Sequence, residues 1–194
     1  MIELKPKETL QGEPSLIVLT GFRATGKTVV GKILADLLGY RFIDTDEEIC
    51  SRLGSTITDS VDRHGWQPFR DCEQEVLLSL AGEKRTVAAT GGGSVLHLQA
   101  WQQLHSRAFV IWLRADASTL VSRLTADRNT VQQRPSISGR EVKTEIPSLL
   151  EERDPLYRAG SDIALETATG TPNELAAFVF QQLAQVPLRL KLVH

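Results

Sequence analysis

The sequence predicts an α/β fold in which a five-stranded parallel sheet is flanked by helices. Five short apolar runs recur along the chain, and each is separated from the next by a segment long enough for a helix. The runs occupy residues 16–19, 40–43, 86–89, 109–113 and 162–165. Buried strands that alternate with helices are typical of a parallel sheet covered on both faces. Ligands of such folds bind beyond the carboxyl ends of the strands, so a site is expected there.

Two of the segments outside the runs carry clear helix signals. Val30, Ile33 and Leu34 belong to an apolar series with i, i+3, i+4 spacing, and Gly39 follows where a helix would end. Residues 171–174, Thr-Pro-Asn-Glu, form a capping box with proline at the first helical position. The first pattern predicts a helix after the first strand, and the second predicts the start of the last helix.

One long polar segment, at about residues 127–143, interrupts the alternation. It contains Pro135 and Gly139, and it carries the arginines Arg128, Arg134 and Arg140. A loop of this length inside a compact domain is usually functional or disordered. The pattern alone therefore predicts a segment that is either functional or disordered.

Composition limits the classes of function. The 194 residues fit one domain, and a formal net charge of −2 gives no global reason to expect nucleic-acid or membrane binding. No apolar stretch approaches the roughly 20 residues that span a bilayer, and the polar start lacks a secretory pattern. Cys50 and Cys72 match no metal or redox spacing, so we expect reduced thiols. These features predict a single cytoplasmic domain with a loose N-terminal extension, 1–14, and a tail, 186–194, without a motif.

The strongest local signal follows the first strand. Residues 21–28, Gly-Phe-Arg-Ala-Thr-Gly-Lys-Thr, match the phosphate-binding pattern G-x-x-x-x-G-K-[ST] at every fixed position. Glycines let the backbone curl so that its N–H groups surround phosphate oxygens, and the following helix adds its positive end. Lys27 is expected to reach the β- and γ-phosphates of a bound nucleotide, and the Thr28 hydroxyl is expected to bind Mg²⁺. The predicted nucleotide contacts are Gly21, Ala24, Thr25, Gly26, Lys27, Thr28 and Val29.

Two aspartates, Asp44 and Asp46, follow the second apolar run. Their i, i+2 spacing in extended chain would direct both carboxylates to the same side, into the crevice. One could hold Mg²⁺ through water, and the other could accept the proton of an attacking hydroxyl. Residues 45–48 also form a capping box, which predicts a helix start. The alternative is that an acidic residue here only complements the helix dipole.

Six short motifs in this order resemble those of the shikimate kinases. They are the phosphate loop, Asp44-Thr45-Asp46, residues 69–73 (F-R-x-x-E), residues 90–93 (a threonine and three glycines), Arg134-Pro135 and residues 153–157 (R-x-x-L-Y). The resemblance covers the chain from about Ser15 to about Gln185. It implies a three-layer P-loop kinase fold with a mobile cationic lid at about residues 127–143. It also implies transfer of the ATP γ-phosphoryl group to the 3-hydroxyl of shikimate. This reaction gives shikimate 3-phosphate, a step of chorismate and aromatic amino-acid biosynthesis, and the resemblance implies Mg²⁺ as cofactor.

The resemblance also implies roles for individual residues. Asp44 would serve magnesium and Asp46 the reacting hydroxyl. Arg70 and Arg153 would bind the shikimate carboxylate, while Arg134 would close over the phosphates from the lid. Backbone close to the substrate ring would come from Gly91, Gly92 and Gly93. In the implied mechanism, Asp46 orients the hydroxyl and takes its proton, while Lys27, Mg²⁺ and Arg134 stabilise the transferring group.

The residue chemistry agrees with these roles but leaves alternatives open. Paired arginines suit a carboxylate, yet Arg70 and Glu73 could be an ordinary i, i+3 surface pair. Arg153 lies among acidic residues and could belong to a solvated ion-pair face.

The sequence departs from the family pattern at two places and leaves rival functions open. The lid has Ser136-Ile137 where leucines are usual, and Trp66 takes a place that is often glutamate. The rival functions are another small-molecule kinase, such as a gluconate kinase, and a catalytically silent nucleotide-binding module. We expect a monomer.

Overall fold

The computed structural model describes residues 3–4, 14–126 and 142–185. Its sheet has six strands in the order β1-β6-β5-β2-β4-β3. The strands are β1 Glu3–Leu4, β2 Leu16–Thr20, β3 Arg41–Asp44, β4 Thr86–Ala89, β5 Phe109–Arg114 and β6 Ile163–Glu166. Strands β2 to β6 pair in parallel, which confirms the predicted five-stranded parallel sheet.

The edge strand β1 was not predicted. Glu3 and Leu4 pair antiparallel with Ala164 and Ile163 of β6, although residues 1–14 were expected to be a loose extension. Two residues are too few for the alternating apolar pattern that identifies a strand in a sequence. The predicted tail, 186–194, lies outside the described residues.

Eight α-helices are described. They are α1 Lys27–Leu38, α2 Thr45–Leu53, α3 Ile57–His64, α4 Trp66–Leu80, α5 Leu98–Arg107, α6 Ala117–Ala126, α7 Val142–Ala159 and α8 Pro172–Gln185. A short 3₁₀ turn, Ser94–Leu96, precedes α5. None of the described helices is long and apolar enough to cross a membrane.

The sheet is the middle of three layers. Alternate residues of β2 point to opposite faces: Ile17 and Leu19 pack with α1 and α8, whereas Leu16 and Val18 pack with α4, α5 and α7. Both faces of the central strands are therefore apolar, as the continuous apolar runs predicted.

The helix signals in the sequence mostly fall where helices begin and end. Gly39 ends α1 with a left-handed φ of 63°. Thr171 and Glu174 bond reciprocally at the start of α8, as a capping box requires. The capping residue of α2 is Asp44, one position before the predicted Thr45, because the Asp44 side chain accepts from the Asp46 N–H.

Register brings three strand ends together. Ala89 of β4 lies opposite both Leu19 of β2 and Asp44 of β3. The phosphate loop, the two aspartates and the triple glycine therefore begin at neighbouring points on the carboxyl edge of the sheet. This is the place where the fold class predicts a ligand.

Close packing at Gly160 gives a test of this core. A Cβ at Gly160 would lie 2.2 Å from Trp101 Nε1, which is buried and donates to the Gly160 carbonyl at 3.1 Å. We expect Gly160→Ala to lower the free energy of unfolding by about 1–3 kcal/mol, since the Trp101 ring must move. Urea denaturation measures this change. Gly82→Ala is the control, because the nearest atom there, Ser79 O, is at 3.7 Å; a similar loss in both variants would contradict the packing argument.

Candidate active site

The phosphate loop curls through three residues with positive φ. These are Gly21 (137°), Ala24 (63°) and Gly26 (89°). A Cβ at Gly21 would lie 2.1 Å from the carbonyl oxygen of Leu113, so the loop packs directly on the end of β5 and only glycine fits. Thr25 is buried and its hydroxyl donates to Phe22 O at 2.8 Å. The loop is therefore held in its curled form by its own contacts.

The helix start supplies N–H donors and a cation beside this loop. Val30 is the residue whose N–H bonds back to Gly26 O, so the N–H groups of Lys27, Thr28 and Val29 precede the first helical bond. Val29 is 52% exposed and its side chain has no polar group. Its backbone N–H is therefore the group suited to bind a phosphate. Lys27 Nζ lies over the loop, donating to the carbonyls of Gly21 and Phe22.

Asp44 connects the loop to the second strand. Its Oδ2 accepts from the Thr28 hydroxyl at 2.7 Å, and its Oδ1 accepts from the Asp46 N–H at 3.0 Å. Asp44 ends β3 and Asp46 lies in the first turn of α2, as the capping box predicted, so the extended i, i+2 geometry does not hold for this pair. The bond from the Asp46 N–H to the Asp44 carboxylate starts the helix directly after β3.

The Thr28 and Asp44 side chains suit a magnesium ion. A hydroxyl and a carboxylate are the hard oxygen ligands that Mg²⁺ prefers, and the ion keeps waters and phosphate oxygens as its other ligands. The described residues include no group of three or more His, Cys, Asp or Glu that could hold a metal ion. The donor set therefore fits an ion held by few protein ligands.

The triple glycine lies where the other elements meet. A Cβ at Gly91 would lie 2.9 Å from Asp46 Oδ1, and one at Gly93 would lie 2.6 Å from Arg70 Nη1. A Cβ at Gly92 would lie 3.3 Å from the backbone N of Arg23 in the phosphate loop. All three glycines are buried. Side chains here would displace both the aspartate and the arginine, which explains the run of glycines.

Arg70 is held by a buried carboxylate. Its Nη1 donates to Glu73 Oε2 at 2.5 Å, and the Glu73 side chain is only 2% exposed. Burial acts to raise the pKa of Glu73, but a hydrogen bond with His97 and the charge of Arg70 outweigh it and hold this pKa below its usual value. The Arg70 guanidinium also lies over the rings of Trp66 and Phe69. The i, i+3 pair exists, but it is not a solvated surface pair.

Arg153 is buried rather than solvated. It is 4% exposed, its Nη1 donates to Gly92 O at 3.3 Å, and its Nε has no hydrogen-bond partner among the described residues. Tyr157, one turn further along α7, donates to the same Gly92 oxygen. The alternative of a solvated ion-pair face is therefore wrong for Arg153. A buried cation with an unused donor is suited to an anionic ligand.

One pocket contains both arginines. It encloses about 490 Å³ of space with its open mouth included. Its walls are partly apolar and partly cationic, and the residues that form them are Phe22, Arg23, Ile57, Trp66, Phe69, Arg70, Glu73, Gly92, Gly93 and Arg153. Trp66, one of the two departures from the family pattern, lines the pocket. The pocket suits a small molecule with an apolar ring face and an acidic group.

The chain is similar to known proteins over most of its length. A family model for shikimate kinase matches residues 23–184. The chain belongs to the shikimate kinase family. A shikimate kinase from Oleidesulfovibrio alaskensis is 45% identical over 142 residues, 73% of this chain and 82% of the relative. Shikimate kinase 2 from Yersinia enterocolitica is 40% identical over 168 residues, 87% of this chain and 95% of the relative.

A solved structure agrees with the family. The shikimate kinase from Acinetobacter baumannii in complex with shikimate superimposes with a TM-score of 0.81 at 34% identity, covering 92% of this chain and 95% of that one. The predicted family and fold class are confirmed, and so is the prediction of an ATP-dependent phosphotransferase.

The segment predicted as a lid, about residues 127–143, lies outside the described residues except for Val142 and Lys143, which begin α7. Arg134, predicted to close over the phosphates, lies there, as do Arg128 and Arg140. Arg123, which received no role from its sequence, donates to Ala24 O in the phosphate loop and to Thr167. It braces the loop from α6.

Sequence reasoning gave no role to two residues near Arg70 and Arg153. Arg23 occupies a variable position of the phosphate-loop pattern, so the motif carried no information about its place in the pocket wall. It pairs with the buried Glu145 of α7 at 3.2 Å. His97 belongs to no motif, yet its Nε2 lies 2.9 Å from Glu73 Oε2. No signal in the sequence connected residues so far apart in the chain.

Proposed function

We propose that this protein transfers the γ-phosphoryl group of ATP to the 3-hydroxyl of shikimate, giving shikimate 3-phosphate and ADP. The observation that carries the proposal is that Arg70 and the buried Arg153 line one pocket with residues of the phosphate loop. A ring acid held by these arginines lies beside the place where ATP phosphates bind. Phosphoryl transfer depends mainly on such positioning and on charge stabilisation.

The two arginines are proposed to bind the carboxylate of shikimate. Arg153 has an unused Nε donor, and Arg70 is fixed at one nitrogen by Glu73. Charge-assisted bonds from guanidinium groups to a carboxylate are strong and directional. The apolar walls from Ile57, Trp66 and Phe69 would then lie against the ring.

Asp46 is proposed to act at the other end of the substrate. Its Oδ1 lies against Gly91, close to both the triple glycine and the capped start of α2. There it would orient the 3-hydroxyl and accept its proton as the new O–P bond forms. The bond from the γ-phosphorus to its bridging oxygen breaks, and ADP takes up the released electron pair.

The phosphates are proposed to bind at the start of α1. The N–H groups of residues 27–29 and Lys27 would hold them, and Arg134 would add charge from the lid. Thr28 and Asp44 would hold Mg²⁺, which supplies positive charge against the phosphate oxygens. We further propose that the chain works as one kinase domain, in monomeric form and in the cytoplasm, without nucleic-acid or membrane partners.

An ADP-release assay over a panel of hydroxy acids tests the proposal. With Mg·ATP we expect turnover with shikimate and at most trace turnover with gluconate, since a flexible open-chain acid lacks a ring face for the apolar wall. Phosphorus NMR of the product identifies the phosphorylated hydroxyl. Preference for gluconate, or ADP release that is independent of any acid, would reject the proposal.

A further inference from the structure

Glu73 is the centre of a buried hydrogen-bond cluster that joins three parts of the fold. Its Oε2 accepts from Arg70 of the same helix and lies 2.9 Å from Nε2 of His97. Its Oε1 accepts from the Ser94 hydroxyl at 3.3 Å. A carboxylate that is bonded on both oxygens has little freedom to rotate, so the Arg70 that it holds is also fixed.

The position of the proton on His97 follows from this geometry. The Glu73 carboxyl is ionised at neutral pH, since its pKa lies below its usual value, and an ionised carboxylate can only accept. Nε2 of His97 must therefore carry the hydrogen. His97 is well placed to hold a fixed donor there, because its side chain is 11% exposed and its backbone bonds to Ser94 O and Trp101 N.

We propose that His97 is a positioning residue for acid binding, acting on Arg70 through Glu73; this inference rests on the proposed function. Arg70 is 24% exposed on the pocket wall, and its one close carboxylate contact in the described part of the chain is Glu73. Without the His97 donor, Glu73 is held only by Arg70 of its own helix and by the longer bond from Ser94, so the Arg70–Glu73 pair can turn away from Gly93. The consequence is weaker binding of the substrate carboxylate with little effect on ATP.

Two variants with side chains of similar size distinguish the effect of the His97 hydrogen-bond donor from the effect of the shape of its side chain. His97→Gln keeps an N–H donor at the end of the side chain, whereas His97→Leu fills the space without one. We expect His97→Leu to raise the KM for shikimate about ten-fold, the usual scale for one hydrogen bond to a charged group. We expect His97→Gln to recover most of this loss. The KM for ATP and kcat should stay within about two-fold of wild type on the same scale.

His105→Ala is the matched control. His105 also lies near a carboxylate, Asp162 Oδ2 at 3.5 Å, but Asp162 bonds to Val110 at the start of β5, away from the pocket. This variant should keep the wild-type KM for shikimate even if it lowers the melting temperature. A rise in this KM that follows the loss of stability in all three variants would show a merely structural role for His97 and overturn the proposal.

An NMR signal from the Arg70 side chain tests the positioning role independently of the substrate that the enzyme uses. The Arg70 Nε–Hε signal in nitrogen-15 NMR, assigned with Arg70→Lys, should shift or broaden in His97→Leu and return in His97→Gln. An unchanged signal in His97→Leu overturns the positioning role, whichever acid the enzyme uses. Lack of shikimate turnover by the wild-type protein, with the NMR response intact, would reject the proposed function alone.

Discussion

Asp46→Asn is expected to reduce kcat with shikimate by about 10²- to 10⁴-fold, the usual contribution of a positioned general base. Asparagine keeps the size of the side chain and its place beside Gly91, but its amide cannot accept a proton from the hydroxyl. The capping of α2 depends on Asp44, not on Asp46, so the fold should be retained. Steady-state kinetics and the melting temperature together measure the effect.

A neighbouring acidic residue provides the control for this prediction. Glu47 is exposed in the same first turn of α2, so Glu47→Gln removes one negative charge without touching the pocket. It should retain wild-type kinetics. A kcat for Asp46→Asn within a few-fold of wild type would show that Asp46 neither takes the proton nor orients the hydroxyl.

Features that depend on short stretches of chain were predictable from the sequence. The parallel strands are buried on both faces, so each appears as an uninterrupted apolar run. The phosphate loop carries its own conformation in Gly21 and Gly26, and the α8 cap is contained in residues 171–174. In each case the sequence pattern that identifies the feature lies within a few residues.

Competition between local signals explains the error at Asp46. Residues 44–46 carried an extended i, i+2 pattern and residues 45–48 a capping box, and the two overlapping patterns predict different backbones. The helix began because the Asp44 carboxylate accepts the Asp46 N–H. The chemical prediction for Asp46 does not need the extended geometry, since its Oδ1 still lies against Gly91.

Long-range packing explains what the sequence could not indicate. Arg153 has acidic neighbours on both sides in sequence, which is typical of a solvated face, yet α7 places it against the Gly92 carbonyl. His97 reaches Glu73 across 24 positions of the chain. Such contacts follow from how helices pack on the sheet, and the periodicity of a single sequence contains no information on that packing.

Arg153→Ala is expected to lower kcat/KM for shikimate by about 10²-fold or more, mainly through KM, since one or two charge-assisted bonds to the carboxylate are lost. The KM for ATP should change little. Arg158→Ala is the matched control, because Arg158 lies on the same helix but is exposed. Initial rates over a range of both substrates measure these effects.

The methyl ester of shikimate separates a direct contact from a change in the shape of the pocket. If Arg153 binds the carboxylate, wild-type enzyme should lose activity towards the ester, whereas Arg153→Ala should discriminate far less between ester and acid. The difference between the two losses of activity on esterification, in wild type and in Arg153→Ala, then measures the free energy of the contact between Arg153 and the carboxylate. If the variant discriminated against the ester as strongly as wild type does, Arg153 would act only on the position of Gly92, through the bond to its carbonyl.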